Sequence, residues 1–400
     1  MSPASITACG LAVGLVVIAT SALVSRFSAF YRRELSVDAG RRELPLDGLR
    51  GIAALMVVMH HAAMFCKGLR LDEWGHTGSL VLLAIGPAGV HLFFMLTGYL
   101  FWSKARAAGG KFKIAKLWRG RLYRIAPLYL FCVTLIVAVA IAIGKLRGWN
   151  AGMLNPSVRL LGLGLLPWHT FGTFDIGNIN AGVVWTLRYE WGFYLVLPFI
   201  AWLAVGRRIF WLGIATYAAV LCGLYWFDIS MELGLIFILG MLCTVLLEDD
   251  SVRAQLRSPI AAGLAVVATL VLAVLNQAPL LSFSFAFAMF PIFLVAAAGN
   301  NFGGLLVGPA LRCLGAYSYS LYLLHGIAFY LLMVILKKKN LATLPELTVW
   351  AMVVVVSVGV SLFCASTYRW VEFPFLSRSH RKPVPAPKLT PAPSPAEIAG

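Results

Sequence analysis

Long apolar segments recur along the whole chain, and they constrain its fold more than any other feature. About eleven runs of roughly 18 or more residues are long enough to cross a bilayer as helices. Their approximate ranges are 6–25, 47–67, 80–102, 126–144, 183–204, 209–227, 231–247, 259–276, 281–298, 314–336 and 347–368. The sequence therefore predicts an all-α fold, a polytopic integral membrane protein with about 10–11 transmembrane helices.

The composition agrees with that fold and accounts for the charge of the chain. Hydrophobic residues make up 60% and charged residues 12% of it, whereas soluble proteins contain roughly 45–50% apolar and about a quarter charged residues. Lys and Arg outnumber Asp and Glu by 33 to 16, a formal net charge of +17. In a soluble chain this excess would indicate nucleic-acid binding, but membrane proteins concentrate Lys and Arg in cytoplasmic loops. We expect membrane lipids as partners and no nucleic acid.

The basic residues also predict an orientation. No Lys or Arg precedes the first span, and Arg26, Arg32 and further arginines follow it, which is typical of an uncleaved helix with its N-terminus outside. Alternation from there puts the basic segment 103–124 in the cytoplasm. Lys337–Lys339 would face outward and disagree with the charge rule. We expect an integral protein of a bacterial-type plasma (inner) membrane.

Three regions are predicted along the chain. Residues 1–45 form an extra N-terminal transmembrane helix and a basic cytoplasmic linker, residues 46–376 the membrane domain, and residues 377–400 a disordered Pro-rich cytoplasmic tail. The apolar segment 154–170 is interrupted by prolines and glycines, so we expect a re-entrant or interfacial piece of a long loop. The seven cysteines are scattered without zinc-site spacing, and we expect no metal.

The second span carries polar residues that are expensive inside a membrane. His61 follows Arg50 by eleven positions, which places both on one helix face about 16 Å apart along the axis. Asp47 lies within roughly 40° of His61, and His60 is turned away by about 100°. Either Arg50 or His61 alone is explained by interfacial anchoring or by packing. Together with Asp47 they indicate catalysis, since a neutral imidazole removes a proton from an alcohol near neutral pH.

Two later segments carry further candidate residues. Arg121 and Arg124 lie about one helical turn apart just before Pro127, a spacing that suits bidentate binding of a phosphate. The positive charge of cytoplasmic segments explains the same pair without a ligand. Glu190 begins a span among aromatic residues and is ordinary at a membrane interface. His325 lies inside its helix, where a hydrogen-bonded packing role is the default.

Five motifs occur in a defined order. They are LDGLRGIAALMVVMHH with Arg50 and His61, GVHLFFMLTGYLF, RGRLYRIAPLY with Arg121, Arg124 and Pro127, WTLRYEWGFYLVLP with Glu190, and YSYSLYLLH with Tyr319, Leu321, Tyr322 and His325. In this order they resemble the integral-membrane acyltransferase-3 family, over about Leu46 to Phe375. Two positions depart from the family pattern: His91 stands where an acidic residue is common, and Thr97 replaces the usual Ser.

The resemblance implies an enzyme, an O-acyltransferase, most often an O-acetyltransferase. It implies acyl-CoA, with acetyl-CoA expected, as the cytoplasmic donor, and a glycan or lipid-linked glycan as the acceptor on the far side. O-antigen, exopolysaccharide, peptidoglycan, a lipid-linked sugar and a small secondary metabolite all fit as acceptors. No metal is implied, and residues 46–376 would be the acyltransferase domain.

Site roles follow from the resemblance and from the helix geometry together. His61 would act as general base, or as a transient acyl carrier. The catalytic set is His61, Arg50, Asp47 and Glu190; the donor-binding set is Arg50, Arg121 and Arg124; the substrate-binding set is His325, Tyr319 and Tyr194. Within these sets Asp47 would orient Arg50, and Glu190 or His325 would bind the acceptor or tune His61.

Two other functions compete with the enzyme. A transporter or flippase for an anionic or glycan-linked substrate would also line its path with buried Arg, His and Glu. It predicts inverted repeats and paired midplane helix breaks, which are not evident in the sequence. A structural or signalling scaffold would leave the alignment of Arg50 with His61 unexplained.

Overall fold

The computed structural model describes most of the chain and is almost entirely helical. The described residues are 2–37, 44–71, 78–111, 113–146, 151–166, 170–171, 174–203, 210–224, 230–338 and 344–380. The helices are α1 (Pro3–Phe27), α2 (Ala29–Val37), α3 (Leu44–Leu71), α4 (Leu80–Ala107), α5 (Ile114–Ala142), α6 (Leu154–Leu161), α7 (Trp185–Leu203), α8 (Phe210–Leu224), α9 (Met231–Leu246), α10 (Asp250–Leu256), α11 (Pro259–Leu275), α12 (Phe283–Ala297), α13 (Pro309–Ala316), α14 (Ser318–Lys338), α15 (Glu346–Thr367) and α16 (Phe373–His380).

The irregular elements are short. A two-stranded antiparallel hairpin, β1 (Thr170–Phe171) and β2 (Phe174–Asp175), pairs Thr170 with Asp175. Two 3₁₀ turns cover Ala151–Met153 and Gly177–Asn180, and a π-helical turn, Tyr368–Glu372, joins α15 to α16.

The predicted all-α membrane fold is confirmed, and each of the eleven predicted spans coincides with an apolar helix. In the described part of the chain six helices are long and apolar enough to cross a membrane, namely α1, α3, α4, α5, α14 and the continuous helix from α15 into α16. The pair α9 and α10 passes the same test together but is bent by 113°. The remaining apolar helices are shorter, and among them α7 and α12 pack against α4.

Two boundaries differ from the sequence-based ranges. Helix α5 begins at Ile114 rather than near 126, because the basic residues of this segment are good helix formers and nothing before Pro127 breaks the helix. Arg121 and Arg124 therefore belong to α5 itself. Helix α16 continues to His380, into the predicted tail, and residues 381–400 lie outside the described part. Residue Lys339 also lies outside it.

Helix α3 lies at the centre of the bundle, where α1, α4, α13 and α14 pack around it. Small residues let the backbones approach closely. A Cβ on Gly315 of α13 would overlap the carbonyl group of Asp47 on α3, and one on Gly51 of α3 would overlap the carbonyl oxygen of Leu311 on α13. This contact fixes the start of α3, with Asp47 and Arg50, against the start of α14.

The segment between α5 and α7 packs against the bundle through a few of its residues. The Tyr129 hydroxyl on α5 donates to the carbonyl oxygen of Leu160 at 2.8 Å, and Trp191 Nε1 on α7 donates to the carbonyl oxygen of Leu163 at 2.8 Å. The backbone of Asn180 abuts Gly326 in the middle of α14. Helix α7 therefore starts beside the middle of α14, and the connecting segment packs against the first two turns of α7.

Glycines also set the distance between α4 and α9. A Cβ on Gly240 of α9 would overlap the carbonyl oxygen of Met95 and crowd the amide nitrogen of Tyr99, while a Cβ on Gly263 of α11 would meet nothing. We therefore predict that Gly240→Val forces the two helices apart and lowers the free energy of unfolding by about 1–3 kcal/mol. Gly263→Val is the matched control and should leave it within about 1 kcal/mol of wild type. Unfolding in detergent monitored by tryptophan fluorescence measures both; equal stability of the two variants would contradict this packing.

Candidate active site

Two histidines from distant parts of the sequence meet in the bundle. Nδ1 of His61 on α3 lies 3.0 Å from Nε2 of His325 on α14, and the ring centroids are 5.0 Å apart. His325 is fully buried, whereas His61 keeps part of its surface exposed. We call His61 and His325 the histidine pair. Its exposed member is the one that a substrate can reach.

The surroundings of the histidine pair determine where its hydrogens lie. Nδ1 of His325 is 2.8 Å from the carbonyl oxygen of Leu321, and since a carbonyl only accepts, Nδ1 carries the hydrogen and Nε2 is left as an acceptor. Nδ1–H of His61 then donates to that Nε2, and the carbonyl oxygen of Val57 lies 3.0 Å from the same atom. The lone pair of His61 is thereby placed on Nε2. Among the described residues, nothing hydrogen-bonds to this atom.

His60 has a different environment. Its Nδ1 lies 2.7 Å from the carbonyl oxygen of Leu82 on α4, and its ring packs edge-on against His61 with centroids 5.0 Å apart. A Cβ on Gly86 of α4 would overlap the same ring. His60 thus faces α4, away from α14, and its role is to pack α3 against α4.

A second polar centre lies near the end of the bundle where α4 ends and α5 begins, the end predicted to face the cytoplasm. It contains Arg50, Arg121 and Arg124, which we call the arginine cluster. Glu190 on α7 interacts electrostatically with all three guanidinium groups. The cluster therefore brings side chains of α3 and α5 into the electrostatic range of one carboxylate on α7.

The three arginines are held in different ways. Arg50 pairs with Asp47 one turn earlier on α3, with 3.0 Å between Nη1 and Oδ1. Arg124 lies 3.4 Å from the carboxylate of Glu372. Arg121 forms no carboxylate ion pair within 4 Å in the part of the chain that the structure describes.

Aromatic rings hold Arg121 instead of a carboxylate. Its guanidinium carbon lies 4.5 Å from the ring centroid of Phe101 and 5.4 Å from that of Tyr194. The Tyr194 hydroxyl donates to Glu190 Oε2 at 3.0 Å. Stacking on the rings fixes the plane of the guanidinium but uses none of its N–H donors. One of them, the buried Nε, has no hydrogen-bond partner among the described residues. The two rings therefore hold the Arg121 guanidinium in place while this donor has no partner in the described part of the chain.

The structure divides the residues predicted from the sequence between these two centres. His325, predicted to bind substrate, contacts His61 directly. Tyr319 and Tyr194, predicted in the same role, lie in the arginine cluster: the Arg124 guanidinium is 5.4 Å from the Tyr319 ring, whose hydroxyl donates to the carbonyl oxygen of Ile125 at 3.3 Å. Glu190 also lies in the arginine cluster. Along α3 the two centres are about 16 Å apart.

One buried carboxylate received no role in the sequence analysis. Glu372, in the motif RWVEFPF, is only 1% exposed and pairs with Arg124. An acidic residue inside an apolar span requires a basic partner, and this requirement was the available signal. His91, at the position where an acidic residue is common in the family that the motifs resemble, is fully buried and bonds through neither ring nitrogen. In the described ranges no three His, Cys, Asp or Glu side chains converge as a metal site.

Comparison with known proteins identifies the matching family. The acyltransferase-3 family model, described as an acyltransferase domain, matches residues 44–366. This range contains the histidine pair and the arginine cluster. No curated protein and no solved structure matches the chain significantly.

The inferred hydrogen positions are testable by spectroscopy. In protein labelled with ¹⁵N-histidine, His61 should show the Nδ1–H tautomer, because Nε2 of His325 accepts that hydrogen. His325→Ala should shift His61 toward a mixture of tautomers, and His60→Ala should leave its tautomer unchanged. His61→Ala assigns the signal. An Nε2–H tautomer of His61 in the wild-type protein would contradict the arrangement.

Proposed function

Because the chain belongs to the acyltransferase-3 family of integral membrane proteins, we propose that it is an O-acyltransferase that uses acyl-CoA. The acyl group, acetyl in the simplest case, passes from a cytoplasmic acyl-CoA to a hydroxyl of a glycan or lipid-linked glycan on the opposite side of the plasma membrane. The observation that carries this proposal is the free Nε2 of His61, oriented by His325. It is the geometry that a general base needs.

The arginine cluster is the donor site in this proposal. A phosphate of CoA binds Arg121 first, because its guanidinium is fixed by Phe101 and Tyr194 and has no carboxylate within ion-pair distance among the described residues. Guanidinium groups bind phosphate oxygens bidentately. Arg50 and Arg124 add positive charge on either side, each tied to its own carboxylate. The negative charge of Glu190 offsets part of the repulsion among the three guanidinium groups in the absence of the donor.

The narrow pantetheine arm of the donor connects the two centres. They are about 16 Å apart along α3, so the thioester reaches the histidine pair while the phosphates stay in the arginine cluster. The acceptor approaches His61 from the opposite side. This division explains why one helix carries both Arg50 and His61 on the same face.

The reaction at the histidine pair is a direct acyl transfer. Nε2 of His61 removes the proton from the acceptor hydroxyl while its oxygen attacks the thioester carbonyl carbon. The C–S bond breaks, and the proton on Nε2 passes to the thiolate of CoA. His325 accepts a hydrogen bond from Nδ1–H throughout. It takes the orienting position that the carboxylate has in a Ser-His-Asp triad, and as a neutral ring it stabilises the imidazolium through the hydrogen bond alone.

The base assignment is tested by replacing each histidine. His61→Ala should lower acyl transfer at least about a hundredfold, the size of a general-base contribution. His60→Ala is the matched control, with the same side chain one residue earlier, and should retain activity within about threefold. Radiolabelled acetyl-CoA is supplied to membranes, and ester label is counted in the extracted glycan. Full labelling by His61→Ala would refute the mechanism, and no labelling by the wild-type protein would refute the acetyltransferase.

The donor assignment is tested with two donors of different charge. Arg121→Gln should raise KM for acyl-CoA about tenfold, since a charge-assisted contact contributes roughly 1.5–3 kcal/mol. It should leave turnover of S-acyl pantetheine, which has no phosphate, near the wild-type rate. Arg119→Gln, an exposed position on the same helix, is the control. It should change neither KM for acyl-CoA nor turnover of S-acyl pantetheine. An unchanged KM for Arg121→Gln would contradict the donor site.

A further inference from the structure

The last membrane helix buries a carboxylate next to the arginine cluster. Oε1 of Glu372 accepts a hydrogen bond from the Ser320 hydroxyl on α14, and Oε2 lies 3.4 Å from Nη1 of Arg124 on α5. The Thr367 hydroxyl donates to Ser320 Oγ at 2.9 Å. Glu372 thus links α5 to α14, and Ser320 extends this link to the end of α15.

A π-helical turn is what brings Glu372 to this position. Thr367 and Glu372 both contact Ser320, although they are five residues apart. In a regular α-helix five residues correspond to a rotation of roughly 140° beyond one full turn, which would point Glu372 away from Ser320. The π-helix Tyr368–Glu372 closes its turn over five residues, so Glu372 returns to the face of Thr367.

The π-helical turn is supported by a helix near the other end of the chain. On α2, the Phe30 ring packs 4.9 Å from Phe373 and 6.2 Å from Tyr368, and the Tyr31 hydroxyl donates to the carbonyl oxygen of Ala365 at 2.7 Å. Helix α2 and Glu372 both lie outside the 44–366 family match. Elements beyond the matched segment therefore reach the arginine cluster.

We propose that Glu372 is a positioning residue for the donor site: its carboxylate, placed by the π-helical turn, holds the Arg124 guanidinium against the Tyr319 ring, where it binds a phosphate of acyl-CoA. This inference rests on the proposed function. Arg124 is fixed from two sides, by the carboxylate and by the ring 5.4 Å away. Without Glu372 the long side chain regains its rotamer freedom and must be ordered again when the donor binds.

Burying the ion pair of Arg124 and Glu372 costs desolvation free energy, which an apolar contact at the same place would not. Two charges removed from water regain their desolvation energy only with good geometry and further hydrogen bonds, and apolar residues of similar volume often stabilise a fold as well or better. The Ser320 hydroxyl supplies one such hydrogen bond to Glu372 Oε1, and the Thr367 hydroxyl in turn donates to Ser320 Oγ. An ion pair built in this way next to a ligand site indicates a role in binding.

The test compares two donors in the full-length protein. Glu372→Gln keeps the shape of the side chain and its contact with Ser320 but removes the charge. We expect KM for acyl-CoA to rise about tenfold with kcat within about twofold, because the contact with phosphate is the same in the ground state and the transition state. The kcat/KM for S-acyl pantetheine should stay within about twofold of wild type. Arg369 is exposed in the same π-helical turn, and Arg369→Gln should change the kinetic constants for neither donor.

The outcomes separate the inference from the function on which it rests. Equal losses with both donors, or no change with either, would overturn the positioning role. Should Glu372→Gln fold poorly, Glu372→Asp retains the charge on a shorter side chain. It should raise KM for acyl-CoA less than about tenfold but measurably above wild type, and leave kcat/KM for S-acyl pantetheine unchanged; an unchanged KM for acyl-CoA would overturn the positioning role. If the wild-type protein uses both donors equally well, the proposed donor site itself is wrong. If wild type and Glu372→Gln discriminate between the donors equally, only the role of Glu372 is wrong.

Discussion

Lipid offers no hydrogen bonds to a polar side chain, so an ionisable group inside the bundle is costly unless it pairs with another group of the protein. Three such pairings organise the centre of this molecule: Arg50 with Asp47, Arg124 with Glu372, and His61 with His325. The last two join helices that are remote in sequence. Because breaking a buried pair leaves an unpaired polar group, the pairs determine which helices are neighbours as much as the apolar surfaces do.

Close helix packing converts these pairings into a fixed geometry. The contact of Gly315 with the backbone at Asp47 sets α13 and the start of α14 against the start of α3. From that point α3 and α14 run side by side to the histidine pair. The distance between the arginine cluster and the histidine pair is therefore a property of two rigid helices, with no loop between them. Such a fixed distance suits a donor whose charged end and reactive end are separated by the same length.

The sequence predicts some of this arrangement, and physical reasons limit the rest. Helical period places Arg50 and His61 on one face and turns His60 away, because both residues lie on one uninterrupted helix. It says nothing about the contact of His61 with His325, which are 264 positions apart. The start of α5 was predicted too late, since a basic segment is typical of a loop as well as of a helix. Glu372 was missed because a π-helical turn changes the rotation on which any periodic argument depends.

The hydrogen bonds of His325 have one further consequence. Its Nδ1–H ends on the carbonyl oxygen of Leu321, and a backbone carbonyl does not accept a proton for onward transfer. Three of the four ring nitrogens of the histidine pair are thus engaged in hydrogen bonds, and only Nε2 of His61 can exchange a proton with a substrate. A proton that enters there has no second exit, so it must leave through the atom by which it came. The acceptor hydroxyl that gives up the proton and the thiolate that receives it must therefore both approach Nε2 of His61. The products must leave this space before another acceptor hydroxyl can enter it.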